Sequence, residues 1–255
     1  MKANFGKEVA ETAAHILNRR EMLLLLGATA TVSLAACAPG PGGPSGPYAQ
    51  QTIGGCLVSP EQTEGPYFVD EKLNRSDIRI DPVDGSESPG VPLRLTLNVL
   101  QIANNSCNPL AGATVDVWHC DALGSYSDVK DNPGGFGDTR GKKFLRGYQV
   151  TDGAGKVEFQ TIYPGWYPGR TVHIHYKIRT DPTSEVGHEF TSQLFFDERI
   201  TDQVHAQAPY SEKGRRDTTN DSDGIYRRGG TDLMLQLTQD AQAYVGTYKV
   251  GFLLS

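Results

Sequence analysis

The sequence predicts an all-β protein, a single β-sandwich domain of about eight strands with long functional loops, spanning residues 56–255. Three observations predict it. Apolar and polar residues alternate in short stretches, the period of a strand with one buried face. No long pattern of helical period follows the N-terminus, and the 29 glycines and 15 prolines among 255 residues punctuate the strand-like stretches with turns. A sandwich of roughly 200 residues also buries enough surface to fold without disulfides. No internal repeat or second domain is visible.

The strands can be taken in order. Residues 93–102 (LRLTLNVLQI) alternate cleanly, and Asn104-Asn105 and Asn108-Pro109 supply the turn that follows. Residues 113–119 (ATVDVWH) read as a second strand, with Val115 and Val117 on one face and Trp118 on the other. Residues 121–141 form a long loop holding Tyr126 and a Gly/Asp-rich tip, the kind of segment that carries function on a rigid scaffold. Residues 144–150 and 156–162 read as a hairpin around Asp152-Gly153-Ala154-Gly155. A strand through His173 comes next, then 190–196. Residues 201–226 are polar and irregular, with room for one short helix, and 233–237 and 247–253 are the last strands.

Residues 1–38 read as an export signal rather than as part of the fold. Arg19-Arg20 precede an apolar run that ends near Leu34, which resembles a twin-arginine signal. Leu34-Ala35-Ala36-Cys37 resembles a lipobox, making Cys37 a candidate lipid anchor; cleavage after Ala38 is the competing reading, and the run is short for a membrane span. Residues 39–55 are a Pro/Gly-rich tether. The expected location is the cell envelope or the extracellular space. Residues 1–38 carry four basic and three acidic residues, so their removal takes the net charge from −6 to −7. With no basic run, nucleic acid is excluded as a partner class. Cys56, Cys107 and Cys120 remain, and in an oxidising compartment one of three pairings is expected.

The chemistry centres on residues 163–176, YPGWYPGRTVHIHY. On a strand His173 and His175 share a face, so two imidazoles stand together as half of a metal site. His119, His188 and His205 stand alone and read as surface or satisfied core residues. No HExxH, GxSxG or phosphate-binding glycine loop is present. Tyrosines are the nearby candidates for further ligands: Tyr126, Tyr163, Tyr167 and Tyr176. Of these, Tyr163 and Tyr176 read as packing residues. A phenolate is a hard anionic donor suited to Fe(III).

Several motifs coincide here. Gly112-Ala113-Thr114-Val115-Asp116-Val117-Trp118-His119 with Gly124-Ser125-Tyr126-Ser127, then Phe144-Leu145-Arg146-Gly147, then Pro164-Gly165-Trp166-Tyr167 and Arg170-Thr171-Val172-His173-Ile174-His175 resemble the intradiol ring-cleavage dioxygenases, in that family's order. Thr63-Glu64-Gly65-Pro66-Tyr67 resembles its N-terminal signature, and Trp118-His119-Cys120-Asp121-Ala122 resembles an exported bacterial and fungal subgroup. The resemblance covers residues 56–200. It implies a non-haem Fe(III) enzyme that cleaves a catechol with O2, incorporating both oxygen atoms, to a cis,cis-muconate-type diacid. Tyr126, Tyr167, His173 and His175 match the iron ligands, with Tyr167 the one displaced by substrate. Arg170 and Gln193 match residues that stabilise the activated substrate. Here Thr171 follows the arginine where relatives often carry proline, and Gly169 replaces a bulkier residue. Ferric iron with two tyrosinates, two neutral imidazoles and a hydroxide sums to zero charge, which suits a buried site. The alternatives are a non-catalytic β-sandwich binding module and a copper or zinc protein using the two histidines.

Overall fold

The structure is a computed structural model, and it describes residues 51–134, 137–181 and 187–253. Residues 1–38, read from the sequence as an export signal with Cys37 as a candidate anchor, and most of the stretch read as a tether lie outside the described residues. Eleven strands and one α-helix follow in order: β1 (Thr52–Ile53), β2 (Cys56–Leu57), β3 (Pro92–Ala103), β4 (Ser106–Pro109), β5 (Thr114–Trp118), β6 (Arg146–Val150), β7 (Lys156–Ile162), β8 (His173–Arg179), β9 (Glu189–Phe195), α1 (Glu198–His205), β10 (Gln236–Gln239) and β11 (Tyr244–Leu253). Seven of the strands answer to stretches read from the sequence, and β10 overlaps only the end of the eighth. The short strands β1, β2 and β4 carry too few residues for a periodic pattern, and β1 lies in the segment read as tether.

Two sheets face each other. One has the order β10-β11-β3-β4, with β7 also paired to β3, and the other β6-β5-β8-β9. The long strand β3 is the spine of the first sheet. It runs parallel to β11 along its length, and β7 and β4 share its other edge, β7 along Pro92–Asn98 and β4 along Leu100–Ala103. Leu93, Leu95, Leu97 and Val99 of β3 meet Val115 and Val117 of β5 and Ile174, Tyr176 and Ile178 of β8 in one buried cluster. Trp118 falls outside that cluster, among residues on the other face of the second sheet. Strand alternation then places His173, His175 and Lys177 of β8 on that same outer face.

The outer face is nonetheless buried, because the chain after β2 lies across it. Gln62 N donates to Thr191 O at 2.9 Å. Lys177 pairs with Glu64 and its ammonium lies 4.4 Å from the Phe68 ring centroid. Arg179 bridges Asp116 at 2.7 Å and Asp70 at 3.2 Å. These ties convert a solvent face into a closed layer.

Residues 144–150 and 156–162 do not form the expected hairpin. The turn itself is present, with Gly155 N donating to Asp152 O at 2.9 Å, but β6 pairs with β5 while β7 crosses to β3 in the other sheet. Thr151 holds the end of β6 on the second sheet by bonding both Ala113 N and Ala113 O, whereas Gly155 O receives Val99 N and delivers β7 to the first. The stretch 233–237 is also corrected: a 3-10 turn at Gly230–Leu233 precedes β10. Helix α1 begins three residues before the stretch read as having room for a short helix and is capped by Asp197, whose side chain accepts from Arg199 N and Ile200 N. Of the three cysteine pairings, Cys56–Cys107 forms, with Cα atoms 5.9 Å apart, and Cys120 stays a buried thiol.

Candidate metal centre

Two loops carry the tyrosines to the histidine face. Gly124 and Gly165 make this possible. A Cβ on Gly124 would sit 2.0 Å from Trp166 O, and one on Gly165 would sit 2.4 Å from Ala122 O. The absence of side chains lets the loop before Tyr126 nest against the loop before Tyr167, and Gly165 N donates to Asp121 O at 3.0 Å. The four side chains assigned as ligands from the sequence then converge. Tyr167 Oη lies 3.1 Å from His173 Nε2, and His173 Nε2 lies 3.0 Å from His175 Nε2. The Tyr126 ring is 5.8 Å from that of Tyr167 and 6.3 Å from that of His175, centroid to centroid. Trp118 stacks on His175 at 4.9 Å, nearly parallel, and Tyr67 stacks on Tyr126 at 4.6 Å.

This donor set fits one metal ion. Two ligands about 2.1 Å from an ion and at right angles are about 3.0 Å apart, the spacing found here. His173 Nδ1 donates to Thr171 O at 2.6 Å, which leaves the Nε2 lone pair facing the cluster. Burial holds both imidazoles well below their usual pKa, so they are neutral lone-pair donors at physiological pH. Burial also pushes both phenols above their usual range, and for Tyr126 the neighbouring Tyr167 adds to it. Among the described residues the Tyr126 hydroxyl is buried without a hydrogen-bond partner. Only a strong local positive charge would ionise such groups, and a trivalent cation supplies one. Among the described residues no three His, Cys, Asp or Glu side chains gather into a metal site. The candidate donors here are two imidazoles and two phenols, a nitrogen and oxygen set whose phenolates suit a hard, highly charged ion.

The family model described as "Dioxygenase" matches residues 63–221. A solved intradiol ring-cleavage dioxygenase from Tetranychus urticae is 32% identical over 77% of this chain and 94% of that one, with a TM-score of 0.66. The chain belongs to the intradiol ring-cleavage dioxygenases. The dioxygenase domain of a carbohydrate-binding fusion from Streptomyces sp. SirexAA-E is 28% identical over 78% of this chain and 99% of that one, with a TM-score of 0.54. A chlorocatechol 1,2-dioxygenase of Pseudomonas putida is 31% identical over 106 residues, 34% of this chain and 36% of the relative. The chain spans less than half the length of the curated relatives it matches, between 30% and 45% of each.

Arg170 and Gln193 lie together. Arg170 Nη2 donates to Gln193 Oε1 at 2.5 Å, and Gln193 Nε2 donates to Thr63 O at 2.8 Å. The register of β8 and β9 sets Gln193 directly beside His175. Asp223 completes the group and was not expected from the sequence. Its carboxylate accepts Arg170 Nε at 2.8 Å and Thr171 N at 2.9 Å, then Ile225 N at 2.6 Å and Tyr226 N at 3.1 Å. Its only sequence signal is an Asp inside a polar stretch. His119 is a satisfied core residue, bonded to Cys120 O and Thr161 Oγ1, and Tyr163 is a packing residue whose hydroxyl bonds Thr201. Tyr176 likewise packs in the central core, away from the metal face.

Proposed function

We propose that this protein binds ferric iron through Tyr126, Tyr167, His173 and His175 and cleaves a catechol between its two hydroxyl-bearing carbons. The observation that carries the reading is the convergence of Tyr167 Oη, His173 Nε2 and His175 Nε2 within 3.0–3.1 Å steps beside the unpartnered Tyr126 hydroxyl. When bound, ferric iron supplies the Lewis acidity that draws electron density from a catecholate and readies its ring for O2. The overall change is catechol plus O2 to a cis,cis-muconate-type diacid: one carbon–carbon bond breaks and both oxygen atoms enter the two new carboxylates.

The chain's own residues divide the work. His173 and His175 are fixed by β8 and stay as neutral anchors. Tyr126 is gripped at both its backbone N–H and its C=O by side chains of its loop and remains in place. Tyr167 sits in an isolated antiparallel bridge with Arg170, its carbonyl receiving Arg170 N at 3.4 Å. The resemblance to the family implies that Tyr167 is the phenol that gives way to substrate, and as a phenolate it would accept one of the catechol protons. Arg170, held by Asp223 and Gln193, directs its guanidinium at negative charge developing on the substrate.

The relatives named for catechol and chlorocatechol support a substrate of that class, and the Tyr67 ring and the loop at 134–143, of which 135–136 lie outside the described residues, are the walls proposed to select within it. Export rests on the N-terminal motifs, and the Cys56–Cys107 bond accords with an oxidising compartment. Oxygen uptake by the iron-loaded protein over a panel of catechol, protocatechuate, hydroxyquinol and plant-derived catechols tests the reading. One O2 consumed per catechol with a ring-opened diacid is expected. No uptake with any ortho-diphenol by an iron-loaded, folded protein would contradict it.

A further inference from the structure

Tyr126 is an unusual buried residue. It is fully buried, lies in no strand, and among the described residues its main-chain N–H and C=O take part in no backbone–backbone hydrogen bond. Such groups need partners, and here one side chain supplies both. Asn132 Oδ1 accepts Tyr126 N at 2.8 Å, and Asn132 Nδ2 donates to Tyr126 O at 2.8 Å. The carboxamide thus takes the place of a neighbouring strand's peptide group. Thr139 closes the arrangement: its hydroxyl donates to Tyr126 O at 2.6 Å and accepts Asn132 Nδ2 at 3.0 Å and Val129 N at 3.1 Å.

The side chain of Tyr126 has no such anchor. Among the described residues its hydroxyl has no hydrogen-bond partner of ordinary geometry, and its ring is placed by stacking on Tyr67 and by the edge of Tyr167. The direction of the phenol is therefore set by the main chain and those ring contacts. Arg146 ties the two together: its guanidinium bonds Ser127 Oγ at 2.7 Å, Ser127 O at 2.5 Å and Tyr67 O at 3.1 Å. It grips the residue after Tyr126 and the residue stacked on it.

We infer that Asn132 and Thr139 are positioning residues for the metal ligand Tyr126, holding its backbone so that the phenol is presented to the ion before the ion arrives. The inference rests on the iron reading proposed above. A ligand held in place gives up little freedom on binding, so loosening it weakens metal retention as other outer partners do, by about 10–100-fold.

The test uses the iron-loaded protein with Asn132→Ala, Thr139→Val and Thr139→Ser, which keeps the hydroxyl. The readouts are the visible tyrosinate-to-iron band per bound iron and the rate of iron loss to an added chelator. Asn132→Ala and Thr139→Val are expected to weaken the band and speed iron loss about 10-fold or more, with Thr139→Ser restored towards the parent. Melting of the metal-free proteins separates positioning from folding. If Asn132→Ala does not fold, the threonine pair still decides. An unchanged band and rate in folded Thr139→Val, or equal loss in Thr139→Ser, would overturn the inference. A parent protein without any band would instead sink the iron reading itself.

Discussion

Replacing Asp223 by Asn tests how the substrate-facing arginine is held. The carboxylate is buried and receives four donors, Arg170 Nε and Thr171 N on Oδ2 and the Ile225 and Tyr226 N–H groups on Oδ1. An asparagine of the same shape has one oxygen, so its NH2 must face either Arg170 and Thr171 or Ile225 and Tyr226. Either choice leaves two buried donors unmatched and removes the counter-charge of Arg170. Breaking a buried pair of this kind costs about 3–5 kcal/mol. At roughly 2–4 °C per kcal/mol for a domain of this size, the Tm should fall by roughly 6–20 °C. The effect has a pH signature. Burial alone would raise the Asp223 pKa, but Arg170 and the surrounding N–H donors more than offset it and hold the carboxyl below its ordinary value. Stability from a depressed carboxylate is present above the unfolded pKa of about 3.9 and is lost as pH falls through the folded value, so the gap between parent and variant should narrow in acid. With Arg170 loosened, kcat/KM should fall by about 10–100-fold. Thermal melts across pH and oxygen-uptake kinetics measure both. A variant with the parent's Tm and the parent's kcat/KM would refute the reasoning.

Three further outcomes are expected. Tyr167→Phe should retain iron while losing most turnover, measured by iron content against oxygen uptake; unaltered turnover would count against Tyr167 as the displaced ligand. Reducing or removing the Cys56–Cys107 bond, whose partners are 51 residues apart, should cost about 4 kcal/mol from loop closure alone and lower the Tm by roughly 8–16 °C, read by melting with and without reductant. His119 is held down to about 4 by burial. The unfolded chain therefore binds a proton that the folded one does not between about pH 6.5 and pH 4, and stability should fall by about 3 kcal/mol over that window as pH is lowered. A His119→Gln variant should show a shallower fall in denaturant titrations over the same range.

The fold was readable where the chain carries its own periodicity. Strands β3 and β5 show their inner faces as alternating leucines and valines, and the placement of Trp118 opposite Val115 and Val117 follows from alternation alone. The error over β6 and β7 has a different origin. A tight turn between two strands is a local property, whereas which sheet each strand joins depends on contacts such as Thr151 with Ala113 and Gly155 with Val99. The site divides in the same way. Tyr126, Tyr167, His173 and His175 are visible as motifs because residue type and chemistry coincide at each. Asp223 reaches Thr171 across a separation of 52 residues from within a polar stretch, and Asn132 acts through a backbone bond that no residue pattern encodes. Partners chosen by tertiary geometry leave little trace in composition or spacing.

The most direct test of the account is the visible spectrum of the protein loaded with ferric iron, for the parent and for Tyr126→Phe. The account predicts one iron per chain and a red-brown tyrosinate-to-iron band. That band should change when catechol is added without oxygen and be strongly weakened in Tyr126→Phe. A folded protein that stays colourless after loading, or one whose band is indifferent to Tyr126→Phe, would contradict it.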